Sequence, residues 1–264
     1  MTTDITLSCS QVSKVFDAHG QRVQALQDID LDVETGGFVC LLGPSGCGKS
    51  TLLRLMANLD EPTAGRIEVN GKTPTQARAD HDHGFVFQAP GLFEWRNVLR
   101  NIEVPLQVMG VPAKQRREAA QRMLELVRLD DFGRHYPWQL SGGMQQRVAI
   151  ARALVTEPGL LFMDEPLGAL DEMNREYLQG ELLRIWRGTQ TTVVFVTHSV
   201  SEAVFLATQV VIMSPRPGRI ATTIDIDLPR PRTAETRTSP AYFAAVAEVR
   251  RQLHQVMDDA GVVA

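Results

Sequence analysis

The chain has 264 residues, 44% hydrophobic and 22% charged, with a formal net charge of −4; this is ordinary globular composition, and it carries no global basic field of the kind that binds nucleic acid. Residues 1–10 have neither a basic start nor an apolar core, so no signal peptide is expected, and no apolar run approaches the roughly 18 residues that span a bilayer. The three cysteines, Cys9, Cys40 and Cys47, show no metal-ligand pairing, and so sparse a set points to a reducing cytoplasm.

In chain order, residues 5–33 alternate weakly through Leu7, Val12, Val15, Leu26, Ile29, Leu31 and Val33. They predict two or three antiparallel strands joined by the polar turn Asp17-Ala18-His19-Gly20, with Phe16 just before it. Phe38-Val39-Cys40-Leu41-Leu42 reads as a buried strand. It runs into Gly43-Pro44-Ser45-Gly46-Cys47-Gly48-Lys49-Ser50-Thr51, which fits the phosphate-loop pattern G-x-x-x-x-G-K-[ST]. Leu52, Leu53, Met56 and Leu59 then recur at helical spacing. Strand, glycine-rich turn and helix are what the chemistry needs: glycines bend the backbone around an anion, and the helix start adds free N–H donors. Lys49 is placed to reach the β- and γ-phosphates and the Ser50 hydroxyl to ligate Mg²⁺. Cys47 lies inside the loop, so alkylating it is expected to block ATPase unless ATP is bound first.

Residues 66–69 form a further strand ending at the tight-turn pair Asn70-Gly71. Residues 83–88 form another, ending on Gln88, followed by a loop with Pro90, Gly91, Trp95 and Pro105. Residues 114–129 read as a helix with Ala119, Met123, Leu126 and Val127 inward and Arg116, Arg117, Arg122 and Arg128 as a solvated face. Leu140-Ser141-Gly142-Gly143-Met144-Gln145-Gln146-Arg147 opens a helix that runs to about Leu154, a second anion-ready helix start. Residues 159–165 make an apolar strand that ends in Asp164, suited to Mg²⁺, and Glu165, suited to polarising a water.

A helix over 176–186 follows, then a β-branched strand over 192–198 ending on His198. Residues 199–207 form a short helix capped by Ser199 or Ser201. Residues 210–213 and 220–226 are strands around the turn Pro215-Arg216-Pro217-Gly218. Residues 227–239, rich in Pro, Arg and Thr, read as a linker. Ser239-Pro240 then starts a last helix with the stripe Tyr242, Val246, Val249, Leu253 and Val256, to pack on its own domain or on a partner.

From Val12 to Met213 these motifs resemble, in order, the ATP-binding subunit of an ABC transporter. Residues 43–51 resemble Walker A, Gln88 the Q-loop glutamine and residues 140–147 the signature. Residues 160–165 resemble Walker B with its catalytic glutamate, Gly168-Ala169-Leu170-Asp171 the D-loop, and His198 the switch histidine. Phe16 falls where the family places an aromatic that stacks on adenine. The resemblance implies an α/β fold: a P-loop NTPase (RecA-like) core with an antiparallel β subdomain and an inserted α-helical subdomain. The ATPase domain would span 1–226, with the helical insertion at about 90–156, and 227–264 would be the linker and C-terminal amphipathic helix.

The resemblance further implies ATP and Mg²⁺ and a head-to-tail pair. Lys49, Ser50, Gln88 and Asp164 would hold phosphate and metal in one copy. Glu165 would orient the water, and His198 would contact the γ-phosphate. Ser141, Gly142 and Gly143, with Gln145 in the same stretch, would serve the site of the other copy; Asp171 belongs to the D-loop. A lone chain would then be a poor ATPase.

Among importers, residues 87–98, 141–144 and 214–220 are similar to the nitrate, sulfonate and taurine group, although Glu94 stands where that group often has proline and Arg100 where it has an acid nearby. About 38 residues follow Ile226, fewer than the regulatory domain of sugar-type importers needs. The implied partners are a second copy, a multi-span permease and, indirectly, a solute-binding protein, at the cytoplasmic face of the bacterial plasma membrane; no nucleic acid is implied. Leu92 and Trp95 are expected either to meet the permease or to fill the helical core. The alternative is an ABC ATPase of lipid trafficking or of a process without a membrane.

Overall fold

Two 14-residue strands open the chain, β1 (Ile5–Ala18) and β2 (Gln21–Glu34), paired antiparallel. The computed structural model describes residues 4–18, 21–168, 170–189 and 191–261. His19 and Gly20 of the expected turn, and Ala169 of the expected D-loop, lie outside them. The chain divides into two compact units, one of Met1–Asp82 with Thr192–Ala264, the other of His83–Thr191.

In the first unit, register shifts in β1 keep Leu7, Cys9 and Val12 on the buried face opposite Ile29, Leu31 and Val33. Such bulges let a long strand bend without losing its apolar side. β3 (Phe38–Leu42) is buried at every position. α1 (Lys49–Met56) follows and packs on β2 and on the strand that later flanks β3. Leu59, expected on its apolar stripe, lies beyond the helix end and is exposed. β4 (Ala64–Val69) pairs with β1 on the side away from β2. Asn70 and Gly71 both have positive φ, 51° and 71°, and the Val69 and Lys72 main chains exchange hydrogen bonds across them, as a tight hairpin turn requires. The short helix α2 (Pro74–Ala79), capped by Thr73, has no counterpart in the sequence expectation. It buries only Ala77 and so leaves no apolar period to read.

The second unit begins with β5 (His83–Val86) and carries α3 (Val98–Ile102), α4 (Val104–Val108), α5 (Ala113–Leu126) and α6 (Gly142–Leu154). It ends with β6 (Leu160–Asp164), parallel to β5, and α7 (Glu172–Thr189). The unit therefore takes in the helices of 90–156 together with β5, β6 and α7. The buried line of α5 is Ala120 and Leu124, continued by Val127; the expected Ala119, Met123 and Leu126 form its half-buried flank. Asn101 is wholly buried and holds the preceding loop: its Oδ1 accepts from the Phe93 N–H, and its Nδ2 donates to the carbonyls of Phe93, Arg96 and Asn97. Trp95, on that loop, is 73% exposed and is not core.

Back in the first unit, β7 (Thr192–Thr197) and β8 (Gln209–Met213) flank β3 in parallel, and β9 (Ile220–Asp225) adds antiparallel to β8. All-apolar strands in the middle of such a sheet are what two covered faces require. α8 (Val200–Leu206) is capped by Ser199, whose Oγ accepts from the Glu202 N–H. Residues 227–239 are not a free linker. Leu228 and Arg232 are buried and α9 (Ala234–Arg237) interrupts the segment. α10 (Pro240–Asp259) buries Tyr242, Val246 and Val249 against its own unit, packing on α8, β8 and β9. Leu253 and Val256 are half-buried.

Candidate functional site

The phosphate loop joins β3 to α1 in the first unit. Gly48 has φ of 105°, and a Cβ there would lie 2.7 Å from the Leu26 side chain, so glycine is required twice over. Lys49 is only 5% exposed. Its Nζ donates to the carbonyls of Gly43 (2.8 Å) and Pro44 (3.0 Å), so the loop's own main chain compensates the desolvated ammonium. Cys47 is buried with Sγ 3.9 Å from that Nζ. Burial pushes its thiol above the ordinary range, and Lys49 only partly offsets this.

One neighbour of the loop escaped the sequence reading as a site element. The turn between β8 and β9 folds onto it. A Cβ on Gly218 would sit 2.0 Å from the Cys47 carbonyl oxygen. Gly218 N–H donates to Ala25 and its carbonyl accepts from Gln27, both 2.9 Å, which ties the turn to β2. Arg216 Nη2 donates to the Gly46 carbonyl at 3.2 Å. The signal was the Arg-Pro-Gly turn straight after an apolar strand.

Parallel pairing aligns Leu42 with Thr197. Gly43 and His198 therefore leave adjacent strands at the same end, and His198 is exposed there. Phe16, paired with Val23 on β1, is 38% exposed, and the Lys14 ammonium lies 4.9 Å from its ring centre.

The remaining predicted residues lie in the second unit. Val86 aligns with Met163, which brings Gln88 and Glu165 to the same end of β5 and β6, one residue past Asp164. A Cβ on Gly168 would lie 3.4 Å from the Glu165 carbonyl oxygen and 3.5 Å from Gln88 Nε2, so the 165–168 turn passes directly beside the glutamine amide. Gln146 was not singled out from sequence. It is buried and donates to the Phe87 carbonyl at 3.3 Å, tying α6 to the residue before Gln88. Arg152 does the same for the next loop, donating to the carbonyls of Pro90 and Gly91.

Ser141 caps α6, its Oγ accepting from the Met144 N–H. Gly142 and Gly143 begin the helix with ordinary backbone, exposed and half-exposed. Cβ atoms there would meet only Leu170 at 3.8 Å and Leu178 at 3.5 Å, normal van der Waals contacts. Gln145 is turned back: its Nε2 donates to the carbonyls of Pro137 and Leu140, so its amide N–H₂ braces its own loop. Asp171 accepts from both the main-chain and side-chain nitrogens of Asn174, which hold its carboxyl below the usual range and cap α7.

Among the described residues, no group of three His, Cys, Asp or Glu side chains gathers as a metal cage. Mg²⁺ beside a nucleotide needs none, since phosphates and water complete a shell begun by one or two protein oxygens. In the first unit the Ser50 hydroxyl, in the first turn of α1, has the chemistry of such an oxygen donor; in the second the Asp164 carboxylate, at the end of β6, and the Gln88 amide have it too.

The family model described as ABC transporter matches residues 26–168. The taurine import ATP-binding protein TauB of Rhizobium johnstonii is 45% identical over 91% of this chain and 93% of its own. The aliphatic sulfonates import ATP-binding protein SsuB of Bacillus cereus is 42% identical over 98% of both chains. The nitrate import ATP-binding protein NrtD of a Synechocystis is 43% identical over 92% of this chain and 93% of its own. A dimeric, post-hydrolysis structure of an ATP-binding cassette bound to ADP and Pi is 32% identical, with a TM-score of 0.73 over 84% of this chain and 99% of that one. With the family model spanning more than half its length, and relatives above 40% identical along nearly all of it, the chain belongs to the ABC transporter family, among its ATPase subunits.

Proposed function

We propose that two copies of this chain hydrolyse ATP head to tail and so power import of a small oxyanion, a sulfonate, taurine or nitrate, through a membrane-spanning permease. Each ATP lies between the phosphate loop of one copy and the Ser141–Gly143 turn of the other. Lys49 and the loop N–H groups take the phosphates, and Ser50, Asp164 and Gln88 take Mg²⁺. Glu165 orients the attacking water and His198 contacts the γ-phosphate, while Phe16 stacks on the base. Phosphoryl transfer of this kind is positioning and charge stabilisation, and each of these groups supplies one or the other.

The observation that carries the paired site is the surplus of glycine at Gly142 and Gly143. Glycine in a helix costs about 1 kcal/mol relative to alanine. Neither backbone angle nor packing within the chain asks for it here. A close approach from outside the chain would account for it. Import, and the oxyanion class, rest on the names of the relatives.

The permease-facing surface is a cleft of about 480 Å³ that includes Trp95, Arg96, Arg100, Glu103, Arg116 and Arg117. Trp95 offers an exposed apolar contact there. No described helix is long and apolar enough to cross a membrane, and the permease would hold the pair at the inner face of the plasma membrane.

Complementation tests the pairing. Lys49→Ala and Gly143→Asp chains are each inactive alone. Mixed, a head-to-tail pair regains one intact site, made of the phosphate loop of the Gly143→Asp chain and the signature turn of the Lys49→Ala chain. Recovery of ATPase activity on mixing supports the reading; a mixture as dead as its parts would mean that each site is built within one chain.

A further inference from the structure

The last turn of a helix leaves carbonyls without intrahelical partners, at the negative end of its dipole. In α8 these are the carbonyls of Val204, Phe205, Leu206 and Ala207, and arginines from the C-terminal segment take all four. Arg232 Nη1 donates to Val204 (3.0 Å), Phe205 (3.0 Å) and Ala207 (2.7 Å), and Arg230 Nη2 donates to Leu206 (3.0 Å). Arg232 Nη2 reaches the Ile226 carbonyl at 3.2 Å. Arg232 is 6% exposed, and burial lowers its pKa to about 10. A cation this desolvated is costly unless its neutral partners are well aimed.

The other end of α8 is held by the same segment. Tyr242 Oη donates to the Ser201 carbonyl at 3.0 Å. Between the two ends, Phe205 packs edge-on to the Tyr242 ring, with the Arg237 guanidinium over its face. Only His198 and Ser199 separate the end of β7 from the start of α8. The link is short and braced: Thr197 Oγ1 accepts from the Ser199 N–H and donates to the Glu202 carboxylate on α8. β7 is fixed by its pairing with β3. A shift of α8 therefore has to be absorbed at His198 and Ser199.

We propose that the segment 228–249 sets the position of His198 through α8, with Arg232 and Tyr242 as positioning residues for ATP hydrolysis. The inference rests on the reading of His198 given above. Neither residue touches the nucleotide; each acts on where the histidine stands. Nucleotide binding at the phosphate loop is then separable from turnover, because the segment bears on the helix after His198.

The test uses the full chain, comparing Arg232→Met, Arg232→Lys and Tyr242→Phe with the parent and with His198→Ala. For Arg232→Met, kcat falls about tenfold while KM for ATP and the Kd of a fluorescent ADP analogue stay within about twofold. Tyr242→Phe, which removes one hydroxyl, lowers kcat about threefold. Arg232→Lys keeps the cation and recovers part of the loss. Hydrogen exchange quickens at amides 199–207 and stays unchanged at 49–56. Where Arg232→Met does not fold, Tyr242→Phe decides. Parental kcat in both Tyr242→Phe and Arg232→Lys, with His198→Ala impaired, overturns the positioning role alone. Equal changes in kcat and KM overturn it as well, since they report a general loss of structure. Parental turnover in His198→Ala overturns the reading of the histidine, and the positioning role with it.

Discussion

The phosphate loop and the signature turn are both glycine-rich starts of helices, yet the chain treats them differently. At the loop the fold itself accounts for the residue types. Gly48 needs its positive φ and its missing Cβ, Lys49 is bound by two carbonyls of the loop, and the 214–219 turn closes over Cys47. At the signature turn Gly142 and Gly143 have ordinary helical backbone and room for a side chain. One glycine cluster is explained by the fold that contains it. The other has no explanation in the packing or backbone around it, and the proposed pairing supplies one. That difference is what the proposed pairing of two chains accounts for.

The largest expected effect comes from freezing that sharing. Glu165→Gln keeps the shape of the side chain and removes the charge proposed to orient water, so turnover is expected to fall by about 10³-fold, at the upper end of what removing one such group costs. With ATP the variant elutes as a dimer. Adding Gly143→Ala to it restores the monomer. A Glu165→Gln chain that stays monomeric with ATP would break the comparison at its root.

A smaller contrast comes from two alanines. Gly48→Ala forces a side chain into a left-handed position and against Leu26, and is expected to lower unfolding stability by about 2 kcal/mol. Gly143→Ala is expected to leave stability equal or raise it by up to about 1 kcal/mol, because alanine is the better helix former. The same substitution lowers ATPase turnover by about 100-fold, by putting a methyl group where the partner's phosphate approaches. Urea denaturation and steady-state ATPase assays on the two variants read both halves. Equal destabilisation would mean that the signature glycines serve the fold after all.

How much of this was legible in the sequence follows from how local each cause is. The phosphate loop, the strands around it and the ends carrying Gln88, Glu165 and His198 are contiguous patterns, and their cause sits within a few residues. On α5 the expected Val127 is buried, but Ala120 and Leu124 take the places expected of Ala119 and Met123, since a 3.6-residue period leaves adjacent positions nearly equivalent at the edge of a stripe. The 227–239 segment reads as a linker by composition, but Arg232 finds helix-terminal carbonyls that no spacing rule links to it. Gly218 and Arg216 are likewise long-range: their partners at Cys47 and Gly46 lie some 170 residues away. Gln145 belongs to the signature by its place in the motif, while its amide is spent on Pro137 and Leu140.

Cys47 gives the mildest effect and the finest probe of how closed the loop is. The sequence places this thiol inside the loop, where alkylation is expected to block ATPase unless ATP is bound first. The structure buries it between Lys49, Gly43 and the 214–219 turn. Only the thiolate is alkylated, and burial raises this thiol above its ordinary value, so the native loop holds the proton over a range where an exposed cysteine has lost it. At pH 8 iodoacetamide is therefore expected to label Cys47 at least about tenfold more slowly than a cysteine in an unfolded peptide. The labelling rate keeps rising beyond the ordinary thiol range instead of levelling there, because a raised pKa moves the titration upward. ATP, by bracing the loop, slows it further. Arg216→Ala removes the hydrogen bond to Gly46 and is expected to speed it about two- to fivefold, roughly the worth of one partly exposed bond. Labelling as fast as a free thiol, insensitive to both ATP and Arg216, would mean that the loop is open in solution and that its completeness within one chain, the first half of the comparison, is wrong.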